Sequence, residues 1–194
     1  MTTRQPATNL VAMLKNRPLE AFDEIIETYG SRIYWHIRRI VVQHEEAEDV
    51  MQDSFAQAFE QHRSFRGETK GSLVAWLYKI ATNEALKALA RRKRNIFASL
   101  DSLGARLAAE FDGEISPSAD EIAVRLQRAI LQLPVKQKLV FNLRYYDELS
   151  FEDIARITGM SASSAKTNYH YAVQKVRNIV TIDYDYETDA LQNG

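Results

Sequence analysis

The chain has 194 residues, with 25 Lys and Arg against 26 Asp and Glu, a formal net charge of −1 and no cysteine. Nine Tyr, eight Phe and two Trp in a 45% hydrophobic composition exclude wholesale disorder, and the length suggests one or two domains. Lack of cysteine excludes a disulfide framework, a thiolate metal site and a Cys nucleophile.

The opening residues MTTRQPATNLVAMLKN lack the uninterrupted apolar run of a signal peptide. No later segment approaches transmembrane length, so a cytoplasmic protein that is not integral to a membrane is expected. Leu10 to Asn16 reads as a short apolar turn. Pro18 suits a helix start, and Phe22, Ile25, Ile26 and Tyr29 then keep the spacing of a buried stripe up to Gly30. Ser31 can cap a following helix with Ile33, Ile37, Ile40 and Val41 inside. A third helix, about Glu45 to His62, buries Ala47, Val50, Met51, Ser54, Phe55, Ala58 and Phe59. Arg66 to Gly71 is a loop. A long helix from about Ser72 to Arg94 buries Leu73, Trp76, Leu77 and Ile80.

Periodicity weakens between Arg94 and Ala119, where Gly104, Gly113 and Ser116-Pro117-Ser118 mark a flexible connector. Leu100, Leu103, Leu107 and Phe111 can form a short helix within it. From Asp120 a new stripe begins with Ile122, Leu126, Ile130 and Leu133, and Pro134 opens a helix carrying Leu139, Val140 and Leu143. Ser150 and Asp153 form a capping-box-like start. Ile154, Ala155 and Ile157 give a short buried face, and Gly159 supplies the left-handed residue that ends this helix. Ser161 caps a second helix through Ala165, Tyr169, Val173 and Val176. Two short helices joined by a glycine-centred turn, the second free of acidic residues and carrying Lys166, Lys175 and Arg177, form a helix-turn-helix. With no strand pattern and no internal repeat, the class is all-α: two small helical domains joined by a flexible linker.

Charge is segregated along the chain. Glu45, Glu46, Glu48, Asp49 and Asp53 crowd one segment, and Lys87, Arg91, Arg92, Lys93 and Arg94 another. Asp183, Asp185, Glu187 and Asp189 form an acidic tail, read most simply as a disordered end. Separate acidic and basic faces suggest two partners, one of them polyanionic.

Three segments in this order resemble a bacterial RNA polymerase sigma factor of the extracytoplasmic-function (ECF) type, group 4 of the sigma-70 family. AEDVMQDSFAQAFEQHRSFRGE, from Ala47, resembles the polymerase-binding helix of sigma region 2 and its following loop. SLVAWLYKIATNEALKALARRKR, from Ser72, resembles the promoter-melting helix. LPVKQKLVFNLRYYDELSFEDIARITGMSASSAKTNYHYAVQKVR, from Leu133, resembles region 4. The resemblance implies region 2 over 1–95, a linker over 96–119, region 4 over 120–181 and the acidic tail over 182–194. It further implies core RNA polymerase and promoter DNA as partners, and an anti-sigma factor as regulator. No cofactor, no metal and no enzymatic activity are expected.

Particular residues carry these expectations. Glu48, Asp49, Gln52 and Asp53 lie on the outer face of the third helix, which suits an Arg-rich partner. The resemblance makes that partner the clamp helices of the polymerase largest subunit; a solvated helix face is the competing reading. A zinc helix at His44-Glu45-Glu46 lacks its second His. On the long helix Lys79, Asn83, Lys87 and Arg91 follow at spacings of four and make one stripe of phosphate-seeking and hydrogen-bonding groups. Trp76, the loop Phe65 to Gly71 and Lys70 are candidates for holding an unstacked base of the −10 element, as the family's loop does. Core packing is the alternative for Trp76; the cluster Arg91 to Arg94 is read as gripping phosphates, with a solvated helix end as its alternative. In the helix-turn-helix, Ser161, Ser163, Ser164, Lys166, Thr167, His170 and Tyr171 face outward toward the −35 major groove. Asn168 and Tyr171 stand where the family often has Arg. Weaker phosphate attraction fits a module that binds DNA when tethered to polymerase. The alternative is a dimeric helix-turn-helix regulator acting without polymerase. The four His residues lie in different segments, with no phosphate loop or nucleophile turn beside them.

Overall fold

The computed structural model describes residues 10–96 and 121–192, with side chains described over 10–92 and 125–180. All regular structure among the described residues is helical. The expected connector helix through Leu100, Leu103, Leu107 and Phe111 lies outside them. The chain divides beside Asn95 into two compact units, each taken by itself.

The first unit comprises α1 (Leu10–Asn16), α2 (Pro18–Val41), α3 (His44–Gln61), a 3-10 turn (His62–Ser64) and α4 (Lys70–Ile96). The break expected at Gly30 does not occur, and Ser31 is no cap: α2 runs straight through both. Phe22, Ile25, Tyr29, Ile33, Ile37 and Val41 stay in phase and are buried. Their burial outweighs the roughly 1 kcal/mol that a mid-helix glycine costs. The helix ends instead at Val42, whose φ of 73° is left-handed and whose N–H donates to the Arg38 carbonyl at 2.9 Å. A β-branched residue there costs about 1–2 kcal/mol. Arg92, arriving from α4, donates to the Val41 carbonyl at 3.2 Å, to Gln43 Oε1 at 3.3 Å and to Glu46 Oε2 at 3.1 Å. One guanidinium thus ties the strained end of α2 to the start of α3.

Inside the unit, Phe59 meets Phe22 edge-on at 5.2 Å and joins α3 to α2. His36 is fully buried, its Nε2 2.9 Å from Thr82 Oγ1 and its ring edge-on to Tyr78. Leu73, Leu77 and Ile80 are buried as their spacing predicts, but the aromatic that enters the core is Tyr78 and not Trp76. Trp76 is half-buried against Phe65, with centroids 5.1 Å apart.

The second unit comprises α5 (Glu121–Leu131), α6 (Val135–Tyr145), α7 (Phe151–Thr158) and α8 (Ala162–Gln192). Ala129, Ile130, Leu133, Phe141, Ala172 and Val176 form a core on which Leu126, Tyr169 and Val173 pack. Phe141 is its hub, stacked on Tyr145 and Tyr169, and Gln127 Nε2 donates to the Tyr146 hydroxyl at 2.7 Å. The turn after α6 places Glu148 at φ 56° and closes through Leu149 N–H to the Leu143 carbonyl at 3.0 Å. Instead of a disordered acidic end, the backbone stays helical to Gln192. Nothing between Ala162 and Gln192 is Gly or Pro, so no residue interrupts the hydrogen-bond ladder. No helix among the described residues is long and apolar enough to cross a membrane.

Candidate nucleic-acid interface

The outer face of α3 is acidic because its apolar positions are spent on the core. Glu48, Asp49, Gln52 and Asp53 are all exposed, while Ala47, Val50, Ser54 and Phe55 are buried. His44 Nε2 lies 3.5 Å from Glu48 Oε1, and the other ring nitrogen, Nδ1, is 2.7 Å from the Tyr34 hydroxyl. Asp49 and Asp53 line an open groove of about 390 Å³ that Arg91 and Arg92 of α4 also border.

Along α4, Lys79, Asn83, Lys87 and Arg91 are exposed on one stripe, as their spacing requires. Lys87 is partly engaged, with Nζ 2.7 Å from Glu84 Oε1. Arg92 differs from the expectation for the basic cluster: its guanidinium is committed to α2 and α3 and does not face outward to phosphates. The side chains of Lys93 and Arg94 lie outside the described set.

The loop before α4 is shorter than its composition suggests, because Thr69 caps the helix. Ser72 N–H donates to Thr69 Oγ1 at 3.1 Å and Thr69 N–H to Ser72 Oγ at 3.0 Å, a reciprocal capping box. Lys70 therefore stands at the first helical position, exposed, where the helix dipole disfavours a cation. Gly67 is required by contact: a Cβ would collide with Ser72 Oγ and with the Phe65 ring. The Thr69-to-Ser72 spacing was a readable capping signal that the expectation of a start at Ser72 passed over.

In the second unit Ser150 Oγ accepts from Asp153 N–H at 3.1 Å and donates to its Oδ2 at 2.7 Å. Gly159, at φ 72°, closes α7 by donating to the Ala155 carbonyl at 2.9 Å. Ser161 begins α8 by accepting from Ser164 N–H at 3.1 Å, and its hydroxyl also bonds Ser164 Oγ at 2.9 Å. Both hydroxyls are exposed but already used in capping, whereas Ser163, Lys166, Thr167, His170 and Tyr171 are exposed without that duty. Asn168 folds back on the Ser164 carbonyl at 2.9 Å. Arg144 sits 5.2 Å over the Phe151 ring, which in turn meets Tyr169 edge-on at 5.9 Å, so the α6–α7 turn is braced against α8.

Residues 25–95 match the family model for sigma-70 region 2, and residues 123–176 the model for sigma-70 region 4. The ECF RNA polymerase sigma factor SigW of Bacillus subtilis is 29% identical over 175 residues, covering 86% of this chain and 92% of its own. The RNA polymerase sigma-H factor of Pseudomonas aeruginosa is 32% identical over 167 residues, covering 81% of this chain and 84% of its own. The sigma factor RpoE from Bartonella quintana, solved in complex with the anti-sigma factor NepR, shares the fold with a TM-score of 0.67 at 20% identity over 84% of this chain and 98% of that one. CnrH, solved with the cytosolic domain of CnrY, does so with a TM-score of 0.64 at 18% identity over 90% of this chain and 96% of that one. Two sigma modules in order, with relatives matched over nearly their whole length, place this chain in the ECF RNA polymerase sigma factors of the sigma-70 family.

Proposed function

We propose that this chain is a cytoplasmic, non-enzymatic initiation subunit that joins core RNA polymerase and directs it to promoters through two DNA elements. The observation that carries the reading is the ordered pair of sigma-70 matches, each over a unit whose charged face is exposed. In this reading region 2 spans 1–95. Its Glu48, Asp49, Gln52 and Asp53 engage an Arg-rich surface of polymerase. Lys70, Trp76, Lys79, Asn83, Lys87 and Arg91 hold the −10 strand as the duplex opens.

Residues 96–119 link this module to region 4 over 120–181, with the tail over 182–194. Ser163, Lys166, Thr167, His170 and Tyr171 of α8 read the −35 major groove, and Ser161 and Ser164 shape the helix start that approaches a phosphate. The complex of the sigma factor RpoE with the anti-sigma factor NepR supports an anti-sigma protein as the regulator.

Transcription in vitro with purified core polymerase, with and without the chain, tests the reading. Specific start sites are expected only when the chain is added. A chain that selects no start site, yet holds a palindromic duplex tightly as a dimer, would instead be a conventional regulator.

A further inference from the structure

The contacts proposed above fall on α3, α4 and the start of α8, and they leave one face of α2 without a task. Leu19 and Ile26 are large and apolar, yet they are 71% and 47% exposed. With Gly30 they follow at spacings of seven and four, which on a helix sets all three within about 40° of one another. Asp23 lies along the same stripe and Glu27 on its outer edge. Both carboxylates are exposed, and neither has a hydrogen bond or ion pair among the described residues.

Gly30 is the member of this stripe that the fold does not explain. Its backbone is helical and its φ is not left-handed, so no turn requires a glycine. A Cβ placed there would meet only Ile26 Cγ2, at 3.8 Å, so no packing among the described residues requires one either. Alanine would fit and would be the better helix former. A glycine with no internal use, flanked on its stripe by two uncovered apolar side chains, suits a second helix whose backbone approaches where the side chain is missing.

The acidic edge selects the occupant. A second copy of this chain would set Asp23 and Glu27 against their counterparts, and nucleic acid or an anionic lipid surface would meet the same repulsion. A helix with apolar residues at three- and four-residue spacing and lysines or arginines beside them satisfies both the stripe and its edge.

We propose that the Leu19–Ile26–Gly30 stripe of α2 is a docking surface for a basic amphipathic helix of a partner protein. The partner helix crosses α2 at Gly30, seats its apolar residues on Leu19 and Ile26, and pairs its cations with Asp23 and Glu27. This surface shares no residue with the polymerase and promoter contacts, and it stands whether or not those assignments hold.

The test uses a fluorescein-labelled helical peptide of about 18 residues, with leucines at helical spacing flanked by lysines, and a copy with glutamate for every lysine. Anisotropy with the full chain near 0.15 M salt compares the parent with Leu19→Ser/Ile26→Ser, Gly30→Leu and Asp49→Lys/Asp53→Lys. Circular dichroism verifies that each variant is folded. The parent should bind the lysine peptide at least tenfold more tightly than the glutamate copy. Leu19→Ser/Ile26→Ser and Gly30→Leu should each weaken that binding on the order of tenfold, while the α3 variant stays within about twofold of the parent. Gly30→Ala should raise the melting temperature by about 2–6 °C, as expected for a glycine the fold does not need. An unchanged or lower melting temperature would show that the fold itself uses the glycine and would overturn the inference. So would a parent that binds neither peptide or both equally, a loss as large in the α3 variant as in the stripe variants, or a parent dimer that Leu19→Ser/Ile26→Ser dissolves.

Discussion

Two single residues show how much one side chain decides. Tyr29 is buried in α2 and its hydroxyl has no partner among the described residues. Burial pushes its phenol above the ordinary value, opposed by the nearby Arg32 and reinforced by Glu24. A raised value in the folded chain means that the unfolded phenol ionises first, so stability present below about pH 10 is lost as the pH climbs through the folded value. Tyr29→Phe should therefore hold or raise stability by roughly 1 kcal/mol near neutrality and flatten the alkaline decline. Urea unfolding at pH 8 and pH 10.5 checks both. Arg92 is the opposite case, a polar group whose Nη1 lies within hydrogen-bond reach of three acceptors. Arg92→Ala should cost about 1.5–3 kcal/mol by leaving the Val41 carbonyl and Glu46 without their donor. Thermal unfolding would show it, and an unchanged midpoint would contradict the assignment. Read along the chain, Arg92 is one more cation in a basic run. Its role depends on groups 46 to 51 residues away, a relation that no local pattern contains.

At the scale of elements, the helices were legible where burial and capping agree. Ser150, Gly159 and Ser161 mark the helix-turn-helix in the sequence, and each makes the expected backbone contact. Gly30 was misleading because propensity is a weak local term and a stripe of buried residues on both sides is a strong collective one. The acidic tail misled in the same sense: charge density suggested an end, but the ladder had nothing to stop it. Trp76 and Tyr78 lie two residues apart on α4 and cannot both face the core, and side-chain size does not reveal which one does. The loop before α4 carries its own test. Gly67→Ala should push the Phe65 ring off Trp76 at a cost of about 1–3 kcal/mol, the range for added volume at a tight contact. A shift in tryptophan emission alongside a lower melting temperature is the expected signature. Unaltered emission would mean that the loop accommodates the methyl group by moving Ser72 alone.

For the molecule as a whole, the family and the all-α class followed from motif order, while the site assignments rest on exposure, chemistry and resemblance. The acidic face of α3 should matter to assembly and little to folding, since Glu48, Asp49, Gln52 and Asp53 are exposed. Asp49→Lys together with Asp53→Lys is predicted to weaken capture of core polymerase by tenfold or more, on the order of 1.4 kcal/mol, at unchanged helicity. A pull-down that recovers as much polymerase as the parent does would dismiss this face as mere solvated surface.

The near-zero net charge hides a consequence for handling the free protein. The exposed carboxylate row of α3 and the exposed basic stripe of α4 allow one copy to serve as the decoy target of the next. Such contacts are head-to-tail and open-ended, unlike a closed twofold pair. In dilute buffer, light scattering should report drifting, concentration-dependent mass; near 0.15 M salt, where screening reaches about 8 Å, a monomer should reappear. Aggregates of that kind are counterfeit dimers, and oligomer size measured without salt says nothing about how the chain meets DNA.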